Sequence, residues 1–160
     1  MSTQARKVKT LPPKWPKTDS RLLGTWKSDR RRTFAEWSWG ENVSPKKKEK
    51  LKSLFGKLLI TYTRSRIIWN LPHRKWVNSR RYTILGTDEA SVAIVVSGEL
   101  YIKDPKKYDR FNLQTVKELW SKPEIRQIHF AGNHYWISIG NGKNREFFRR
   151  IREGKKSSSR

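Results

Sequence analysis

Eight short runs of β-branched and aromatic residues, each bounded by turn-forming residues, constrain this chain more than any other feature. They fall at residues 23–28, 57–63, 66–69, 81–85, 91–96, 125–130, 135–139 and 146–151. Residues 33–39 read as a continuation of the first. Runs of this length and composition suit strands, and connections this short make consecutive strands antiparallel neighbours. Gly86-Thr-Asp-Glu reads as the turn between two of them. About eight such strands can close into a small up-and-down barrel, which removes the exposed edges.

One hairpin can be read in register. A turn at Gly132-Asn133 pairs Phe130 with Tyr135, His129 with Trp136, Ile128 with Ile137 and Gln127 with Ser138. Phe130, Tyr135, Ile128 and Ile137 then share one face, and a slip by one residue would destroy that separation. Asn141-Gly142 marks the next hairpin turn. Two short helices interrupt the strands. Ser44 as N-cap, Pro45 at the first position and Gly56 as stop frame one, with Leu51, Leu54 and Phe55 as its apolar stripe. The other runs from Asn112 as cap to Ser121, with Leu113, Val116, Leu119 and Trp120 inward and Pro123 beyond it.

The 160 residues form one domain by default. Residues 1–18, polar, basic and broken by prolines, read as a flexible arm, and residues 153–160 as a flexible basic tail. Residues 19–152 are left as the folded domain. The chain has 37 Lys and Arg against 14 Asp and Glu, a net charge of +23. Residues 19–152 alone hold 29 basic and 13 acidic side chains, a net +16, so the tails do not account for the charge. Such a surface favours an anionic partner, whether nucleic acid, an anionic lipid surface or an acidic protein, unless the host's proteins are basic in general. Eight Trp, six Phe and five Tyr argue against a disordered chain. The absence of cysteine excludes disulfides, thiolate metal sites and a cysteine nucleophile. No apolar run is long enough to span a membrane or serve as a secretion signal, so a cytoplasmic protein is expected.

Catalytic patterns are sparse. The three histidines, His73, His129 and His134, have no metal-ligand spacing, and neither a metal nor a cofactor is expected. Ser44-Pro-Lys-Lys47 lies in a lysine run and Gly140-Asn-Gly-Lys143 between strands, so neither reads as a site. Candidate lumen residues are Tyr62, Trp69, Tyr82, His129 and Trp136. Each reads either as barrel core or outer sheet, or as the lining of a ligand pocket. Candidates for contact with a polyanion are Arg30, Arg31, Arg32, Lys46, Lys47, Lys48, Lys50, Lys106 and Lys107, with further basic pairs at Arg80-Arg81 and Arg149-Arg150. Several lie near Trp37, Trp39 or Trp76, an arrangement that suits single-stranded nucleic acid or a merely solvated face.

Leu22-Leu-Gly24-Thr-Trp26, ahead of a long series of strands, resembles the Gly-x-Trp opening of lipocalins and related calycin barrels. Gly-Thr-Trp-Lys-Ser-Asp, Gly-Lys-Leu-Leu-Ile-Thr-Tyr-Thr and Ile-His-Phe-Ala-Gly-Asn-His-Tyr-Trp-Ile resemble small bacterial lipocalin-like proteins over residues 20–152. The resemblance implies a mainly β protein, an antiparallel up-and-down barrel of about eight strands, whose Trp26 plugs one end beneath a guanidinium from the last strand, that of Arg149 or Arg150. It also implies a non-enzymatic binding protein holding a small anionic or amphipathic ligand. Nucleic-acid binding on the basic exterior is the alternative.

Overall fold

The computed structural model describes residues 16–152 except 108 and 141. The arm and tail expected at the two ends therefore lie largely outside the described residues, as does Asn141 of the last hairpin turn. The strand runs become β1 (Gly24–Ser28), β2 (Leu59–Tyr62), β3 (Arg66–Leu71), β4 (Trp76–Thr87), β5 (Ser91–Ile102), β6 (Glu124–Ala131), β7 (His134–Ile139) and β8 (Asn144–Arg150). They pair antiparallel in sequence order and close as β1 against β8, giving an eight-stranded up-and-down barrel. Inward positions alternate along each strand, as a pleated wall requires. Ile60 and Tyr62, Ile67 and Trp69, Tyr82 and Ile84, Val92, Ile94 and Val96, and Ile128, Tyr135 and Phe148 form the core.

Among the described residues, three α-helices accompany the barrel rather than two: α1 (Arg30–Ala35), α2 (Pro45–Leu54) and α3 (Arg110–Trp120). The first replaces the strand expected over residues 33–39. Asp29 caps it, accepting from the Arg32 backbone N–H at 3.0 Å, and the buried Thr33 hydroxyl accepts from the Phe147 N–H at 3.0 Å. Its aromatic composition, strand-like in sequence, serves a different purpose: Phe34, Trp37, Trp39 and Phe55 pack on one another outside the wall. The second begins on the Ser44 cap, whose Oγ accepts from Lys47 N at 3.3 Å, and ends before Gly56, where φ is +84°. The third is capped by Asp109 rather than Asn112. Leu119 and Trp120, expected inward, are exposed.

Strands β4 and β5 are longer than their apolar runs suggested, twelve residues each. Their pairing slips between Ser79 and Arg81, where Gly98 adopts φ +80° and turns its carbonyl toward Arg80. Thr87, expected within a turn, is the last residue of β4. The β6–β7 hairpin keeps the expected register only at Phe130–Tyr135 and His129–Trp136, with Ala131–His134 next to the turn. Ile128–Ile137 and Gln127–Ser138 do not pair, because the two strands diverge beyond His129.

Alternation of strand direction sorts the connections to two ends. One end receives all three helices, the 3₁₀ turns at Pro72–Arg74 and Pro105–Lys107, and the β7–β8 turn. Among the described residues, the other holds only tight turns and the plug. There Trp26, 2% exposed, lies under the Arg150 guanidinium at 4.3 Å from its ring centroid. The indole donates to the Leu22 carbonyl at 2.9 Å, and Arg150 donates to the carbonyls of Leu23, at 2.7 Å, and of Arg21. Arg150 therefore covers the indole, while Arg149 takes the opposite facing.

Candidate functional site: a cavity at the helix-bearing end

The core fills only part of the barrel. Toward the plug, Tyr62, Tyr82, Tyr135, Phe148 and Trp26 pack edge to face or stacked, and Tyr82 donates its hydroxyl to the Thr63 carbonyl at 2.6 Å. Above them a cavity of about 780 Å³ remains, within the size range of small-molecule sites. Leu58, Ile60, Trp69, Leu71, Trp76, Ile137 and Phe148 give it apolar walls, and Leu51, Leu54 and Phe55 of the α2 segment border its mouth. Gln127, His129 and Ser138 also border it, although their strand positions alternate with the core residues. That placement follows from the divergence of β6 and β7, which parts the wall beside the cavity.

Two charged groups enter this apolar space. Arg126 shares the inward phase of Ile128. Its guanidinium donates to both oxygens of Glu124, at 2.8 and 3.1 Å, and lies 5.3 Å from the Trp69 ring centroid. Burial works against the charge on Arg126, yet Glu124 holds its pKa above the ordinary value. Glu146 enters from β8. Burial pushes its carboxyl up to about 6, against the hydrogen bond from Ser28 and the charge of Arg126. A relay holds it in place: Gly56 N–H donates to Ser28 Oγ at 3.0 Å, and Ser28 Oγ–H donates to Glu146 Oε1 at 2.7 Å. Beside the mouth, Arg80 is 3% exposed. It donates to the carbonyls of Gly98 at 3.2 Å and Lys122 at 2.9 Å, joining the β4–β5 bulge to the segment that leads into β6. Burial draws its pKa down.

Of the five lumen candidates, Trp69 and His129 border the cavity, whereas Tyr62 and Tyr82 are buried in the packed core below it and do not line it. Burial pushes the Tyr62 hydroxyl up to about 12, so it is neutral there. Trp136 lies on the outer face instead, and His129, which borders the cavity where β6 and β7 part, stacks on it with ring centroids 3.9 Å apart and Arg145 over the indole at 4.2 Å. The reason is phase: Ile128 and Tyr135, their neighbours in sequence, are the fully buried ones. Sequence reasoning missed Arg126, Glu124 and Glu146. The signal was available, because the two-residue period that puts Ile128 and Phe148 inward also puts these charges inward.

The polyanion candidates converge. Arg30, Arg31 and Arg32 begin α1, Lys46, Lys47, Lys48 and Lys50 lie on α2, and Lys106 and Lys107 belong to the 3₁₀ turn before α3, all at the helix-bearing end. Arg81 lies apart on the barrel wall. Among the described residues, no group of three His, Asp or Glu side chains is arranged to hold a metal ion. No family model, no curated protein and no solved structure matches this chain.

Proposed function

We propose that this barrel is a lipocalin-like binding protein that holds a small amphipathic anion, its apolar body in the cavity and its acidic group at Arg126, and that it performs no chemistry on that ligand. The observation that carries this reading is a cavity of about 780 Å³ with largely apolar walls into which one guanidinium projects. An apolar body gains roughly 25 cal/mol for each Å² removed from water. A carboxylate or sulfonate can compete with Glu124 for Arg126, and charge-assisted bonds of this kind are strong in a dry setting. Glu146 tunes the site, since an incoming anion repels its carboxylate and favours the protonated form.

The test is a titration of Trp fluorescence with lauric acid and with lauryl alcohol. The wild type is expected to bind the acid more tightly than the alcohol. Replacing Arg126 with Gln is expected to weaken the acid about 10-fold or more, from the loss of a charged hydrogen bond, and to leave the alcohol within a few-fold. Acid binding is expected to take up protons near pH 6. If neither compound quenches tryptophan, or if R126Q weakens both equally, the reading fails.

A further inference from the structure

The connections at the helix-bearing end are charged very differently from those at the plugged end. Residues 29–58, 72–75, 103–123 and 140–143 contain 18 Lys and Arg against 7 Asp and Glu, a net +11. The described residues at the plugged end, 16–23, 63–65, 88–90, 132–133 and 151–152, contain 4 against 3, a net +1. Among the described connections, the excess charge therefore gathers at the helix-bearing end.

Most of the large apolar side chains exposed among the described residues lie at the same pole, with only Leu85 and Ile151 toward the plugged end. Leu54 at the end of α2 is 61% exposed, Leu119 and Trp120 at the end of α3 are 62% and 49%, and Ile125 at the start of β6 is 72%. Single exposed apolar residues need no explanation. Here, however, Leu54, Trp120 and Ile125 all border the apolar cavity, so they form its rim rather than a scatter.

We propose that this rim is a docking surface for an anionic phospholipid bilayer, and that the cavity exchanges its ligand with that bilayer. Two independent features point to lipid rather than nucleic acid. Phosphates and bases would use the lysines and the indole, but would gain nothing from Leu54, Leu119 or Ile125. A bilayer interface uses both, taking aliphatic and indole groups at the headgroup level while anionic lipids attract the cations. Among the described residues, no helix is long and apolar enough to cross a membrane, so contact through these helices is peripheral. The exchange half of this proposal rests on the ligand reading; the docking half does not.

The experiment measures partition of the full chain onto phosphatidylcholine vesicles with and without phosphatidylserine, with no other ligand added. Any cationic protein binds anionic vesicles to some degree, so location is the readout. Replacing Lys46, Lys47 and Lys50 with Gln is expected to weaken binding on the order of 100-fold, at about 1 kcal/mol per lysine. Replacing Lys17, Arg64 and Arg152 at the other pole removes the same charge and is expected to change binding less than 3-fold. Replacing Leu54 and Ile125 with Ser alters exposed positions and is expected to weaken binding at least 10-fold, an effect that persists at high salt where lysine contacts are screened. Brominated acyl chains are expected to quench the wild type more than W120F. Equal losses from the two sets of charge replacements, or no effect of the Leu54 and Ile125 changes, would overturn the proposal. So would single-stranded oligonucleotide binding that survives physiological salt and depends on the rim lysines, with no vesicle preference for phosphatidylserine. Vesicle docking with no lauric acid binding would instead sink the cavity reading alone.

Discussion

Replacing Glu146 with Gln should stabilise the protein at neutral pH, against the usual direction for a side chain held in a hydrogen-bond relay. Burial raises this carboxyl from its ordinary 4.5 to about 6. A raised carboxyl favours its neutral form in the folded state. The associated stability is fully present below pH 4.5 and is lost as pH climbs through about 6. At about 1.36 kcal/mol for each pH unit, the rise from 4.5 to about 6 costs the ionised fold about 2 kcal/mol at pH 8. Gln has nearly the shape of the neutral acid, and its oxygen can still accept from Ser28 Oγ, which lies 2.7 Å from the Glu146 oxygen. E146Q should therefore gain about 2 kcal/mol over the wild type at pH 8, which for a chain of this size raises the melting midpoint by roughly 4–8 °C. At pH 4 the two should melt together. Urea unfolding at both pH values measures the difference directly. A variant less stable than the wild type at pH 8 would show that the carboxylate is held by Arg126 and not strained by burial, and one equally more stable at both pH values would show that the gain does not come from ionisation.

Three further substitutions test the plugged end. Trp26→Ala removes a buried indole and its hydrogen bond to Leu22 O, and should cost about 3–5 kcal/mol in chemical unfolding; a loss under 1 kcal/mol would mean that the plug is not part of the cooperative core. Gly24→Ala should cost at least about 1 kcal/mol, because Gly24 sits at φ +112° and an added Cβ would meet Arg150 Nη1 at 3.2 Å, whereas Gly132→Ala, with nothing near it, should carry only the backbone strain.

Much of the barrel was legible because strand periodicity is local. Phe130 and Tyr135 announce their pairing across a Gly-Asn turn, and Ser44, Pro45 and Gly56 announce a helix with its ends. The α1 segment was not legible, because Phe34, Trp37 and Trp39 look the same in a strand as in an aromatic cluster on a wall. Only the partner Phe55, brought back by α2, decides between them. Arg126 and Glu146 were hidden for a different reason: charge is read as exposed unless phase is followed through it. The convergence of the basic clusters on one pole depends on strand direction, so it appears only once the barrel order is known.

The pairing of Trp26 with Arg150 across β1 and β8 has a consequence for synthesis. Of the eight barrel strands β1 leaves the ribosome first, and it cannot close its free edge until β8 has emerged. Until then the indole lacks its guanidinium cover and β1 and β7 each offer an unpaired border. Contacts this distant in sequence slow folding, and open borders invite association with other nascent chains. A stop before β8 should therefore leave a sticky open sheet rather than a smaller barrel. Conversely, residues 24 and 150 lie side by side once the barrel is closed. Joining the ends and cutting a tight turn at the plugged end would give a circular permutant with the same wall.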